Sequence, residues 1–240
     1  MRNQPLAVST GSRVALVTGA TRGIGRAIAM ALAEDGFRVA VLARTDKDVH
    51  AVIAEIRRRG GTALPVPADV TEPRDVQQAF QTVLNEFSVL DILVNNAGTG
   101  IRKPFEQMTP DEWDCLIDLN LKGLLYCTQV ALRHMKPRRQ GCIINIASRA
   151  GRQPEPNLAV YSATKAAVIA FSQALAREVD ALGIRVITVC PGPVDTERIR
   201  RLAPNVDRSG WLTPQDVARA VVCLASDPAE GYNGAVLDLF

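Results

Sequence analysis

A chain of 240 residues, nearly half of them hydrophobic, can close one sizeable core, and a single α/β domain reaches this length. A formal net charge of +3 is too mild for the concentrated basic face of a nucleic-acid binder, and no stretch approaches the ~18 apolar residues of a membrane span. Five cysteines without a CxxC pair, and only two histidines, His50 and His134, lying apart from them, argue against a metal site. The thiols read as small buried hydrophobes in a reducing compartment, and the chain as a cytoplasmic protein.

The opening MRNQPLAVSTGS is polar and turn-rich and lacks the apolar region of a secretory signal, so 1–12 reads as a flexible extension ahead of one domain over 13–240. Buried strands are predicted at 13–18 and 38–43, a weaker one at 62–68, and others within 89–98 and at 141–148, 183–192 and 234–239. Helical periodicity falls between them. It runs over 23–36, over 46–60 closing on arginines and Gly60, and over 71–87 with Thr71 as N-cap and Pro73 in the first turn. Further helices are predicted at 109–135 behind a Thr-Pro-Asp-Glu cap, from YSATK to about Leu182, and at 213–226. Apolar strands such as VALV and CIINI, alternating with helices, predict a single Rossmann-like, doubly wound parallel sheet of about seven strands with helices on both faces. The segment 193–213 shows no clear period and is long for a loop, as lids are.

Two stretches carry chemistry. TGATRGIG (18–25) follows the first strand, and its glycines 19, 23 and 25 stand where a strand must turn sharply into a helix. Such a turn lets a phosphate approach backbone N–H groups and the positive end of a helix dipole. The spacing differs from GxGxxG, and a tight turn with no ligand is the competing reading. In YSATK (161–165), Tyr161 and Lys165 sit one turn apart on one helix face. Alone, that pair reads as a solvated face, and Asn120 alone as a helix residue bonding nearby backbone.

Together with NNAG (95–98), Ser148 and PGPVDT (191–196), these stretches occur in the order and context of the short-chain dehydrogenase/reductase family. The chain resembles that family from about 13 to 239, and within it the 3-oxoacyl-carrier-protein reductases. The resemblance implies an NADPH-dependent carbonyl reductase, reversible as an alcohol dehydrogenase, moving hydride to a ketone; a 3-oxoacyl thioester is one candidate substrate. It implies four catalytic residues: Tyr161 as proton donor, Ser148 hydrogen-bonding the carbonyl oxygen, Lys165 holding the nicotinamide ribose, and Asn120 steadying a water in a proton relay. A positive charge on Lys165 is expected to lower the Tyr161 pKa.

On the cofactor side the resemblance implies Gly19, Thr21, Arg22, Gly23, Ile24 and Gly25 in the turn, Asp69 and Val70 at the adenine, and Asn96, Ala97 and Gly98 by the adenosine. Pro191, Gly192, Val194 and Thr196 would cover the nicotinamide, and Tyr161 and Lys165 also count among the cofactor contacts. An NAD enzyme of this fold carries an acid at the end of the second strand. Here the position is Ala43, followed by Arg44, and with Arg22 this predicts NADP(H). The competing view is that Arg44 points to solvent.

The cleft walls are expected from 101–105, 149–157 and 197–211, which carry Arg102, Arg149, Arg152, Arg198, Arg200 and Arg201. These arginines are either a solvated lid or substrate contacts. Two departures from the family stand out. Leu182 replaces an expected basic residue and weakens docking of an acyl carrier protein. The short end at Asp238-Leu239-Phe240 leaves homodimer and homotetramer both open. A catalytically silent NADP(H)-binding sensor or scaffold is the alternative function. No nucleic-acid or membrane partner is expected.

Overall fold

The computed structural model describes residues 12–226 and 231–240, so the expected N-terminal extension lies almost wholly outside the described residues. Seven strands are β1 (Val14–Thr18), β2 (Arg38–Ala43), β3 (Thr62–Pro67), β4 (Ile92–Asn95), β5 (Gly141–Ile146), β6 (Ile184–Pro191) and β7 (Val236–Leu239). They form one sheet in the order β3-β2-β1-β4-β5-β6-β7, and every pairing is parallel. β1 is buried at every position, as a parallel strand covered on both faces must be.

The helices are α1 (Gly23–Glu34), α2 (Asp46–Arg58), α3 (Pro73–Phe87), α4 (Pro110–Ile117), α5 (Gly123–Arg138), α6 (Ala159–Val179), α7 (Glu197–Leu202) and α8 (Pro214–Ala225). Alternate residues of one strand feed opposite cores. Ala15 and Val17 pack with Ile28 and Leu32 of α1, Val52 and Ile56 of α2, and Val221 of α8. Val14 and Leu16 pack with Phe80 of α3, Met135 of α5 and Val179 of α6. This is the doubly wound sheet the alternation predicts. The chain builds β1, β2 and β3 outward, then returns to lay β4 on the other side of β1. That reversal opens a crevice at the carboxyl ends of β1 and β4, where ligands bind in such sheets.

Several expectations need correcting. α3 starts at Pro73 with Glu72 as N-cap and no side-chain cap bond; the Thr71 hydroxyl and N–H instead donate to Asp69 Oδ1, at 2.8 and 2.9 Å. The single helix predicted over 109–135 is α4, a π-helical turn at Asp118–Lys122, and α5 running on to Arg138. Within the segment read as irregular, residues 197–202 form α7, capped by the Thr196 hydroxyl, which accepts from the Ile199 N–H at 3.4 Å. A parallel bridge between Val194 and Leu212 pins the two ends of that segment together. Of the five thiols, Cys127, Cys142 and Cys190 are buried as expected, but Cys115 and Cys223 are exposed. Among the described residues, no helix is long and apolar enough to cross a membrane.

Candidate active site

The sheet gathers the sequence-predicted residues at one end. The glycine turn leaves β1; Arg44 follows β2; Asp69 and Val70 follow β3; Asn96, Ala97 and Gly98 follow β4. Ser148 follows β5, and Pro191 ends β6 with Gly192, Val194 and Thr196 just beyond it. Tyr161 and Lys165 enter on the first turns of α6, and Asn120 on the π-helical turn.

The glycine turn is shaped by close approach as much as by its dihedral angles. Gly19 and Gly23 have φ of +62° and +51°, a region open chiefly to glycine. A Cβ on Gly19 would sit 2.9 Å from Ala97 Cα, and one on Gly25 would collide with Gly19 O and Asn96 Nδ2. The loop after β4 is therefore clamped on the turn. The Asn96 amide donates to Thr18 O at 2.9 Å and Gly19 O at 3.2 Å, and the Thr18 hydroxyl accepts the N–H groups of Asn96 and Ala97, each at 3.0 Å. Thr18 was missed as a site residue; the signal was a threonine closing an otherwise apolar strand. Arg22, the α1 N-cap, has no side-chain cap bond, which leaves the first-turn N–H groups of α1 facing the crevice. The residues present fit a pyrophosphate: a left-handed glycine turn, an uncapped helix N-terminus, and no acid in the first turn of α1. The Val70 side chain is buried, packed against the position of Gly123.

Arg44, just after β2, has its side chain 69% exposed and makes a loose ion pair to Asp69 at 3.8 Å. The Arg22 side chain makes no hydrogen bond or ion pair among the described residues.

Asn120 is almost fully buried. Its amide donates to Thr99 O at 2.9 Å and Thr164 Oγ1 at 3.1 Å, while its Oδ1 accepts from the Thr99 N–H at 2.8 Å. These partners are far away in sequence, so the reading of Asn120 as a helix residue bonding nearby backbone fails. The π-helical turn supplies the extra residue that swings this side chain inward, a use π-turns often have at functional sites. Thr99 and Thr164 are further positioning residues that sequence reasoning missed; each looked like an ordinary loop or helix threonine. Asn95 ties the sheet together, donating to Asn145 Oδ1 at 2.9 Å and Thr128 Oγ1 at 3.0 Å.

Lys165 is buried, and its ammonium donates to Ile146 O at 2.9 Å. Burial pulls its pKa down to about 8; the nearby Cys190 acts weakly the other way. The same ammonium lies 6.0 Å from the centre of the Tyr161 ring. Burial pushes the Tyr161 phenol above its ordinary value, while hydrogen bonding with Ser148 and the positive charge of Arg198 act the other way. The expected depression of the phenol by Lys165 is thus not met. Desolvation outweighs the Ser148 hydrogen bond and the Arg198 charge. The Ser148 hydroxyl also accepts from the Ala150 N–H at 3.1 Å, which fixes it at the end of β5.

A doubly wound parallel sheet with a glycine turn at its switch point, and a tyrosine, a lysine and a serine converging beside it, defines a dinucleotide-binding oxidoreductase fold. The pattern of the short chain dehydrogenase family matches residues 13–207, and the chain belongs to that family. It is 40% identical over 227 residues to a 3-oxoacyl-[acyl-carrier-protein] reductase of Synechocystis sp., covering 92% of each chain. It is 37% identical to a protein of the same description from Staphylococcus aureus, covering 94% of this chain and 96% of that one. Among solved structures, a 3-ketoacyl-(acyl-carrier-protein) reductase from Brucella melitensis complexed with NADH aligns with a TM-score of 0.88 and 33% identity, over 96% of this chain and 97% of that one. A single-substitution variant of the actinorhodin polyketide ketoreductase with NADPH aligns with a TM-score of 0.90 and 32% identity, over 95% of each.

Proposed function

We propose that this chain is a carbonyl reductase that uses NADPH, with Tyr161 as general acid. The observation that carries the reading is the convergence of Ser148, Tyr161, Lys165 and Asn120 beside the glycine turn, in a family of oxidoreductases. The bound nicotinamide supplies the hydride. Ser148 and Tyr161 hold the substrate carbonyl oxygen. As the carbonyl carbon is reduced, the C=O π pair moves to oxygen, which takes the phenolic proton of Tyr161; the Ser148 hydrogen bond stabilises the charge developing there. A phenol raised above its ordinary pKa is protonated at neutral pH, as a donor must be. Lys165, with its pKa at about 8, can exchange protons near neutrality and return one to Tyr161, and its ammonium would hold the cofactor ribose hydroxyls. Asn120 keeps the Thr99 backbone in place beside that path.

NADPH is favoured because Ala43 presents no acid to a ribose 2′-phosphate, while Arg44 is largely exposed and Arg22 is unpaired among the described residues. Among relatives, one solved structure carries NADH and another NADPH, so cofactor choice rests on these residues. Acyl carrier protein is a weak candidate partner. The Arg139 guanidinium is turned onto Ala181 O, Arg138 is held by Asp91 at 2.7 Å and Leu90 O at 2.9 Å, and Leu182 packs against the core. The exposed Ala163, Ala166 and Ala170 of α6 offer a smooth face for a second copy, consistent with a homo-oligomer. The exposed free thiols Cys115 and Cys223 favour a reducing, cytoplasmic compartment. A silent cofactor-binding sensor is not favoured, since Asn120, Ser148, Tyr161 and Lys165, the four residues proposed to be catalytic, are all present.

The test is a panel of ketones, including 3-oxoacyl thioesters, with NADPH or NADH oxidation followed by absorbance. Reduction of at least one class with NADPH preferred is expected. Tight NADPH binding with no turnover on any ketone would turn the reading toward the sensor.

A further inference from the structure

Six arginines lie on the segments expected to wall the cleft, and the structure sorts them. Arg102 and Arg149 both pair with Glu155 at 2.8 Å, Arg152 with Asp238 at 3.4 Å, Arg200 with Asp195 at 2.7 Å, and Arg201 with Glu197 at 3.7 Å. Arg198 alone of the six has no carboxylate within 4.0 Å among the described residues. Its one hydrogen bond runs from Nη2 to Gly100 O, at 2.7 Å. A guanidinium has five N–H donors, so most of its capacity is unspent.

Its location is equally specific. Arg198 stands on α7, in the lid, and is half-buried. The residue it grips, Gly100, packs on the phenol: a Cβ there would touch Tyr161 Cδ2 and Cε2 at 3.6 Å. The guanidinium is thus one residue away from the Tyr161 ring, and its charge acts on the phenol. A half-buried cation without a counter-charge is costly, and the neighbouring arginines show that this lid does have acids to pair with. Among the described residues, none supplies the carboxylate that would complete Arg198.

We propose that the substrate brings it: Arg198 selects a ketone that carries a carboxylate a few bonds from the carbonyl, bound through the free edge of the guanidinium. Paired N–H bonds to a planar carboxylate suit an arginine better than any other cation. The inference rests on the carbonyl-reductase reading and narrows its substrate class to oxo acids, at the expense of neutral ketones and thioesters.

The experiment measures kcat and KM for oxo acids with the carboxylate one to four carbons from the ketone, each beside its neutral methyl ester, for the wild type, Arg198→Lys and Arg198→Met. For at least one spacing, the wild type is expected to favour acid over ester by about tenfold or more in kcat/KM, chiefly through KM. Arg198→Met is expected to collapse that ratio toward one, and Arg198→Lys to restore part of it. An arginine that merely latches the lid to Gly100 would lower acid and ester alike and leave the ratio unchanged; that result, or equal use of acid and ester by the wild type, overturns the proposal while leaving the carbonyl reductase standing. Failure to reduce any acid, ester or simple ketone overturns both.

Discussion

Lys165→Met should make the protein more stable near neutrality, and by an amount that falls as pH rises. The ammonium is buried with one hydrogen bond, to Ile146 O, and burial takes its pKa from the ordinary 10.5 down to about 8. A shift of that size corresponds to roughly 3 kcal/mol of penalty on the charged form. Losing the bond to Ile146 O returns about 1 kcal/mol against the variant, so a net gain of about 2 kcal/mol is expected at pH 7. The sign with pH follows from proton counts. Between about 8 and 10.5 the unfolded chain holds more protons than the folded one, so wild-type stability rises with pH across that window; below it the penalty is full and flat. The advantage of the variant should therefore shrink by about 2 kcal/mol between pH 7 and pH 9.5. Urea unfolding of both proteins at fixed protein concentration measures it, because the difference cancels the other alkaline titrations. A variant less stable at pH 7, or a difference that does not change with pH, would refute the idea that Lys165 is held charged at a cost.

Three further outcomes are expected. Tyr161→Phe should lower kcat by ~10²–10⁴-fold while cofactor affinity, read by fluorescence titration, stays near the wild-type value; near-normal turnover would remove Tyr161 as the acid. Gly25→Ala should cost about 1–3 kcal/mol or more in thermal unfolding and weaken the cofactor, because its Cβ would strike Gly19 O and Asn96 Nδ2; a variant of unchanged stability would contradict the clamp between the two loops. Arg44→Ala should reduce the preference for NADPH roughly ten- to a hundredfold, and Ala43→Asp should push it toward NADH; dissociation constants for both cofactors decide it, and a wild type that binds NADH as tightly as NADPH removes the basis of the prediction.

The parallel sheet was legible because its signals are local. VALVT and CIINI are apolar at successive positions only because both faces are covered, and the helices between them carry their own caps, such as Thr109 with Glu112 and Thr213 with Asp216. The π-helical turn was not legible: DLNLKG keeps the helical period through it, and the extra residue is set by where Asn120 must reach, to Thr99 and Thr164. α7 escaped for the opposite reason. Six residues rich in arginine carry no apolar stripe, and the helix is held by the Thr196 cap and the Val194–Leu212 bridge. Thr71 was a plausible N-cap by residue type, yet Asp69 captured its hydroxyl first. The glycine turn was easier to read than the segments expected to wall the cleft. Its shape is imposed by close backbone approach, as at Gly19 and Gly25, which leaves glycine as the only choice. The expected walls carry arginines whose partners, Glu155 and Asp195, are fixed only by the folded loops.

The titration of the site bears on direction. In isolation a lysine and a tyrosine have similar pKa values, and an ion pair between them would make a phenolate. Here burial separates the two the other way, with Lys165 brought down to about 8 and Tyr161 raised. A neutral phenol beside an amine that titrates near neutrality suits the proposed role of Tyr161 as an acid. It is not a standing base. Reduction of a carbonyl needs that acid in place at the start, whereas oxidation of an alcohol asks the same phenol to surrender its proton first, against its own burial. Ser148 and Arg198 are the two groups that ease the charge on the phenol. If a substrate carboxylate occupies Arg198, part of that relief is withdrawn, and the phenol is held still more firmly in its protonated form. The residue proposed to select the substrate would thereby also keep the phenol in the protonated form that the proposed reduction needs.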